Sequence, residues 1–215
     1  MPTDGSLPGV GNIYGVQLNP AGTFLYLTTQ SSKIYKCSVN QADGQLTGCV
    51  EEINAQFANN NMAFNPLGTY LYYTSNGTVE GPVFKCLVDP LSGDLSPCVE
   101  TGDGNFDHYP HGIALNPSGT FAYVSDFLSN SPSESYIYFC AVNKRNGALT
   151  NCMIGPESCQ HLAYLGGIAI NRTGTTLYIT SAVNGVYRAD ILPSGQLASC
   201  VLQNNTPLSN AIALR

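Results

Sequence analysis

The chain has 215 residues, 43% of them hydrophobic and only 10% charged, with a formal net charge of −6. An acidic chain without a basic stripe repels a phosphate backbone, so no nucleic acid partner is predicted. The apolar runs are far too short to cross a bilayer, so no membrane span is predicted either. Twenty-two glycines, 13 prolines and 13 tyrosines, with no sustained 3.6-residue apolar period, predict an all-β protein with almost no helix.

The first predicted element is residues 4–10, whose DGSLPG sequence is interpreted through a repeat in the rest of the chain. Four later segments mark this repeat. These segments share the pattern Asn-Pro-x-Gly-Thr, with Arg for Pro in the last copy, followed by alternating aromatic and β-branched residues. They begin at Asn19, Asn65, Asn116 and Asn171, at spacings of 46, 51 and 55 residues. Since Pro fixes φ, Gly permits positive φ and Asn bonds its own backbone, each copy predicts a turn between two strands.

Each repeat is predicted to contain four strands, called A to D. Strand A precedes the Asn turn, strand B follows it, strand C comes next, and a glycine turn leads into strand D. A four-stranded meander repeated at this spacing is typical of a β-propeller blade. The prediction is one β-propeller domain over residues 1–215, with blades at residues 12–52, 59–101, 109–154 and 165–203.

The two ends of the chain predict part of a fifth blade. Residues 4–10 align with strand D, and residues 209–215 align with strand A. Three interpretations stay open: a fragment of a larger propeller, a ring completed by further chains, or an open ring that tolerates an incomplete blade. We expect the apolar edges of an incomplete blade to favour a homo-oligomer.

Eight cysteines follow the repeat: Cys37, Cys49, Cys86, Cys98, Cys140, Cys152, Cys159 and Cys200. Three pairs at a spacing of 12 residues bracket the C–D hairpin, where paired strands bring such residues within disulfide range. In blade 4 the first position is Ala189, so Cys159 is the candidate partner of Cys200. The alternative is buried reduced thiols. Disulfides favour an extracytoplasmic location. No zinc spacing occurs, and no metal or cofactor is predicted.

The antiparallel order places the B–C loops and D–A connections on one face, here called the loop face. The A–B and C–D turns lie on the opposite turn face. All three histidines, His108, His111 and His161, fall in D–A connections near carboxylates. A cluster of this composition is able to run acid–base chemistry or bind a metal. Solvated loop histidines are the alternative.

Two further sets of residues are candidates for binding on the loop face. The position before strand A is predicted to form a polar ring around the channel that binds a small ligand or ordered water: Tyr14, Asn61, His111, Gly166 and Asn210. The loop aromatic residues are predicted either to contact a protein or glycan, or to cover the core between blades: Phe57, Phe106, Tyr109, Phe127 and Tyr164.

The stretch PHGIALNPSGTFAYVSD and its weaker copies resemble the repeats of the YVTN and lactonase-like β-propeller superfamily. The cysteine-bearing C–D hairpins resemble those of bacterial secreted or periplasmic propellers. The resemblance implies a ring that usually has seven blades and, in some members, lactone hydrolysis. It carries over no catalytic residue, since these motifs specify the blade.

The sequence therefore favours a non-enzymatic propeller module that binds a protein or small molecule on its loop face. The alternative is a lactonase-like hydrolase that works at the channel mouth, with His108, His111 and His161 as its acid–base or metal-binding groups. No G-x-S-x-G motif or phosphate-binding loop points to another enzyme class.

Overall fold

The structure, a computed structural model, describes residues 11–57, 60–75, 81–103, 106, 108–128 and 131–204. Its strands form four separate four-stranded sheets in which each strand pairs with its sequence neighbour, and every pairing is antiparallel. The only helical segment in these ranges is a single 3₁₀ turn, Glu157–Cys159. The prediction of an all-β propeller with almost no helix is confirmed. The ends assigned to a fifth blade, residues 4–10 and 209–215, lie outside the described residues.

The strands are numbered β1 to β16 along the chain, four to a blade in the order A to D. Blade 1 contains Ile13–Leu18, Phe24–Thr29, Lys33–Val39 and Leu46–Gln56. Blade 2 contains Met62–Phe64, Tyr70–Thr74, Val83–Leu87 and Val99–Thr101. Blade 3 contains Tyr109–Leu115, Phe121–Leu128, Ser131–Val142 and Leu149–Ile154. Blade 4 contains Leu165–Ile170, Thr176–Ser181, Gly185–Ile191 and Leu197–Asn204.

The repeated asparagine closes each A–B turn. In blade 3, the Asn116 side-chain oxygen accepts hydrogen bonds from the backbone N–H groups of Thr120 and Phe121 at 2.9 and 3.0 Å. Gly119 in this turn has a φ of 63°, which an L side chain rarely adopts. The turn predicted from the sequence is confirmed, and it fixes the register of strands A and B.

Consecutive blades pack face to face through three hydrophobic clusters. One cluster joins blades 1 and 2, the second joins blades 2 and 3, and the third joins blades 3 and 4. Among the described residues, no cluster joins blade 4 to blade 1. The four blades therefore form an arc whose inner wall consists of the four A strands.

A tyrosine in strand B of each of the first three blades ties that blade to the next one. The hydroxyls of Tyr72 and Tyr123 donate to the carbonyls of Gly147 and Gly195, both at 2.7 Å, in the C–D turn of the following blade. Tyr26 makes the same bond to Gly93. Burial raises the pKa of all three phenols, so they stay protonated donors.

Removing one of these hydroxyls is expected to destabilise the fold measurably. Tyr72→Phe keeps the buried ring but leaves the Gly147 carbonyl without its donor, which costs about 1–2 kcal/mol of unfolding free energy. The matched control is Tyr178→Phe, because Tyr178 occupies the same position in blade 4 and the described residues place no glycine carbonyl against it. Urea unfolding at low protein concentration measures both variants. Equal losses in the two would contradict this role.

Four disulfides hold the outer strands. Three join strands C and D within a hairpin, each at a sequence separation of 12: Cys37–Cys49, Cys86–Cys98 and Cys140–Cys152. The fourth, Cys159–Cys200, ties the D–A connection before blade 4 to β16. All the predicted pairings are confirmed. Within the described ranges, no helix is long and apolar enough to cross a membrane.

Candidate functional site on the loop face

A buried carboxylate lies beneath a histidine on the loop face of blade 3. Asp126, near the end of β10, is fully buried at a position where the other blades carry only hydroxyl side chains. Its Oδ2 accepts the backbone N–H of His108 at 3.0 Å and lies 3.7 Å from the His108 Nδ1. A protonated His108 ring therefore forms an ion pair with Asp126. Burial of a carboxylate is costly unless it is bonded or paired, and the backbone N–H and the ring of His108 supply such contacts to Asp126.

Tyr136 connects His108 with His161, which comes from a different D–A connection. The Tyr136 ring stacks on His108 at a centroid distance of 5.6 Å and meets the edge of His161 at 5.9 Å. A backbone bridge between Tyr136 and Gln160 holds the second connection against β11. His161 has a φ of 58°, a conformation that non-glycine residues rarely adopt and that is enriched at functional sites.

Together, His108, Asp126, Tyr136 and His161 form a group that we call the blade 3 cluster. The sequence singled out the two histidines, but it could not show that both lie against Tyr136. The role of Tyr136 was missed. The Asp126 position did carry a signal, since the other three repeats have Thr or Ser there. The cluster combines a proton acceptor, a buried carboxylate and a phenol, which suits general acid–base chemistry.

An adjacent cavity of about 530 Å³ lies between blades 2 and 3. Its wall includes Gly81, Glu100, Asp103 and Phe106. Phe106 packs edge-on against Tyr138, which in turn packs edge-on against Tyr136. An aromatic chain thus leads from this cavity to the blade 3 cluster.

The central cavity of about 700 Å³ is lined by all four A strands. Tyr14 and Asn61 belong to its wall, whereas His111 and Gly166 do not. Asn210 lies outside the described residues. Of the predicted polar ring, the structure therefore places two residues at the cavity.

The predicted ring residue of blade 2, Asn61, is wrong by one position, and the equivalent residue is Asn60. Strand B hydroxyls donate to the backbone carbonyl of the ring position in the next blade: Thr74 bonds His111 at 2.9 Å and Ser125 bonds Gly166 at 2.8 Å. In blade 1 the equivalent Thr28 bonds Asn60, not Asn61. The error arose because strand A of blade 2 is short, so the sequence offered no second landmark.

His111 lies within β9, apart from the blade 3 cluster. Burial lowers its pKa to about 4, so the ring is neutral at physiological pH. A base with so low a pKa is poorly matched to catalysis near pH 7. The backbone carbonyl of His111 accepts Thr74, which gives this residue a structural role.

His111 is expected to make stability depend on pH. Its pKa is about 4 in the folded protein and about 6.5 when unfolded, so the unfolded chain binds the extra proton between these values. The contribution of His111 to the free energy of unfolding has its full value, about 3 kcal/mol at most, above pH 6.5. This contribution is lost as the pH falls towards 4. His111→Asn, which copies Asn60 of blade 2, should lose correspondingly less over this window in urea unfolding. Parallel pH curves for the two proteins would refute the assignment.

The loop aromatic residues differ in their exposure to solvent. Phe106 is buried and covers the core between blades. Phe57 and Tyr164 are exposed on the loop face, and both have positive φ. Tyr109 is partly buried at the start of β9, and Phe127 lies on β10 with its side chain outside the described structure.

Across the described residues, no three His, Cys, Asp or Glu side chains form a group that could hold a metal ion. No protein-family model matches the chain, and no curated protein matches it.

Solved structures are similar to this fold over most of its length. A Bacteroides uniformis protein described as a "putative 6-phosphogluconolactonase" has a TM-score of 0.65 at 16% identity, covering 95% of this chain and 60% of its own. The periplasmic gluconolactonase of Pseudomonas aeruginosa has a TM-score of 0.59 at 20% identity, covering 85% and 54%. A Lactobacillus plantarum protein has a TM-score of 0.66 at 20% identity, covering 97% and 60%.

These likenesses define the class of fold, a β-propeller similar to those of lactonases. At identities of 16–20% they establish the architecture alone. The chain spans about 60% or less of the length of the structures it resembles.

Proposed function

We propose that this protein is a lactone hydrolase whose blade 3 cluster carries out general acid–base chemistry on the loop face. The observation that carries the proposal is the pairing of His108 with the buried Asp126, 3.7 Å apart. The similarity to gluconolactonase structures supports this enzyme over the binding module that the sequence favoured.

Each group has one role in the proposed reaction. His108 removes a proton from water as the water oxygen bonds to the lactone carbonyl carbon, and Asp126 stabilises the resulting imidazolium. The ring C–O bond then breaks, and His108 returns the proton to the leaving alkoxide. The product is the open hydroxy acid. Tyr136 fixes the plane of the His108 ring by stacking, which makes it a positioning residue.

The charges on the loop face favour an uncharged sugar lactone over a phosphorylated one. Phosphate recognition commonly uses Arg or Lys. Lys33 is the one Lys or Arg that the described residues place at the loop-face end of a strand, and it already pairs with Glu51 at 2.8 Å. The net charge of −6 also disfavours an anionic substrate.

The decisive variant is Asp126→Asn, which keeps the size of the side chain but removes the charge that stabilises protonated His108. We expect kcat/KM for gluconolactone hydrolysis to fall at least about 100-fold, measured by pH-stat above the spontaneous rate. Glu157→Gln is the matched control, since Glu157 is an exposed carboxylate on the adjacent D–A connection. Wild-type turnover no faster than the buffer rate, or an unchanged Asp126→Asn rate, would exclude this function.

Binding without turnover is the second candidate, and the exposed Phe57 and Tyr164 favour it. Two large apolar rings held at positive φ on one face suit stacking against a sugar or a peptide. Calorimetry with gluconolactone and its open acid distinguishes the candidates, since a binding module binds the ligand without converting the lactone faster than its spontaneous hydrolysis. The four disulfides and the similarity to a periplasmic enzyme support an extracytoplasmic location in either case.

A further inference from the structure

The two outermost blades each present one face that packs on no other described blade. We call these the terminal face of blade 1, turned away from blade 2, and the terminal face of blade 4, turned away from blade 3. Val16 and Leu18 on the first are 57% and 43% exposed. Their equivalents in blade 2, Met62 and Phe64, are 1% and 9% exposed because blade 1 covers them. The terminal face of blade 1 thus has the apolar character of a blade interface.

In each of the three interfaces within the chain, an aromatic ring of one blade packs against the C–D turn glycine of the next blade. We call this glycine position the seat. A Cβ built on the C–D turn glycine would meet an aromatic ring of the preceding blade: Phe24 lies 2.7 Å from it at Gly93, and Tyr70 lies 2.7 Å from it at Gly147. In blade 1 the equivalent Gly44 keeps the same positive φ of 76°, but nothing lies within 4 Å. The seat is present and unfilled among the described residues.

Blade 4 carries groups that fit this seat. Tyr178 is the fourth member of the tyrosine series, and its ring is only partly buried, whereas Tyr26, Tyr72 and Tyr123 are fully buried. Thr180 corresponds to Thr28 and Thr74, but it bonds its own blade at Gly167 instead of a following one.

A cationic side chain in the first interface has a counterpart on the terminal face of blade 4. In the first interface, Lys36 of blade 1 donates to the Ser92 carbonyl in the C–D turn of blade 2 at 3.0 Å. Arg188 occupies the Lys36 position in blade 4, and Asp43 occupies the Ser92 position in blade 1. Arg172, which replaces the proline of the other A–B turns, adds a second cation to the terminal face of blade 4. A blade 4 face packed on a blade 1 face in the same way therefore brings Arg188, which also contacts Asp190 of its own strand, to the backbone carbonyl of Asp43.

We propose that the terminal face of blade 4 in one copy packs on the terminal face of blade 1 in a second copy, as consecutive blades pack within the chain. The Tyr178 hydroxyl donates to the Gly44 carbonyl of the second copy, and the contact buries Val16 and Leu18. The contact is heterologous, because its two sides are different surfaces. Two such contacts close a ring of two times four blades, which lies within the range that propellers adopt.

The mass of the protein in solution tests the proposal, by size-exclusion chromatography with light scattering and by sedimentation velocity. The expected mass is twice 22.8 kDa at micromolar concentration. Val16→Asp and Tyr178→Ala should each give monomers, since each spoils one side of both contacts. Tyr178→Phe, which leaves the monomer fold intact, should weaken dimerisation about 25-fold, because one hydrogen bond worth about five-fold is lost in each of the two contacts.

A mixture of Val16→Asp and Tyr178→Ala makes the test specific for a heterologous contact. The first variant keeps an intact blade 4 face and the second an intact blade 1 face, so together they should form a mixed dimer with one contact. A monomeric wild type would overturn the proposal, whether its own terminal segments or solvent cover the faces. A second outcome would also overturn it: Val16→Asp abolishes the dimer, Tyr178→Ala leaves the dimer intact, and mixing the two variants restores nothing. That result would show that two blade 1 faces meet.

Discussion

Replacing Lys36 with methionine is expected to lower the free energy of unfolding by about 3–5 kcal/mol. The Lys36 ammonium lies between blades 1 and 2, 3.3 Å from Glu52, and the two side chains are only 8% and 7% exposed. Asp94 of blade 2 also contacts this ammonium. Removal of the cation leaves the Glu52 charge buried without its partner, which is the costly half of a buried pair.

A double-mutant cycle isolates this effect. Glu52→Gln keeps an oxygen that accepts the Leu95 N–H, now at 2.9 Å, while it removes the charge. Lys36→Met combined with Glu52→Gln should therefore recover much of the loss in urea unfolding.

The control is the pair Lys33 and Glu51, which joins the same two strands at 2.8 Å but is 44% and 37% exposed. Lys33→Met should not shift the unfolding midpoint measurably, because solvent screens an exposed pair. Similar shifts for Lys36→Met and Lys33→Met would show that burial does not govern the interaction.

Removing the disulfide between Cys159 and Cys200 is expected to cost about 4 kcal/mol by its effect on the entropy of the unfolded chain. It closes a segment of 41 residues that contains three strands of blade 4, whereas each hairpin disulfide closes 12. The Cys200 backbone N–H also donates to the Ser158 hydroxyl, on the same connection as Cys159, at 3.2 Å. Loss of the crosslink releases the D–A connection that carries His161.

The measurement compares two double variants by chemical unfolding without reductant. Cys159→Ala with Cys200→Ala is the test, and Cys86→Ala with Cys98→Ala is the control, for which about 3 kcal/mol is expected from its shorter loop. Peptide mapping of the unreduced wild type should yield a crosslinked peptide that contains residues 159 and 200. Free thiols at these positions would contradict the pairing.

Much of the fold could be predicted because each blade repeats its own local signals. The asparagine turn at Asn116, the turn glycine at Gly147 and the cysteine pair 140 and 152 all act between neighbouring strands. Such contacts span few residues, so their spacing in the sequence sets their geometry. The prediction of Asn61 as a ring residue was wrong by one position because strand A of blade 2 has only three residues and offers few such signals.

The candidate site was predictable only in part. The clustering of histidines in D–A connections pointed to the loop face, yet His111 lies apart from the blade 3 cluster and His161 belongs to it. Nothing in the sequence distinguishes these two, because the difference depends on which side chains Tyr136 meets when β11 packs against the following connection.

The sequence by itself determined the blade: four strands, their order, their turns and three of their disulfides follow from contacts between residues close together in the chain. The tertiary structure alone decided which distant groups meet, as with Lys36 and Glu52 against Asp94, or His108 and Asp126 beside Tyr136 and His161. The physical reason is that these neighbours result from one blade or connection packing on another. That packing depends on the volume and polarity of whole faces, which a local pattern does not specify.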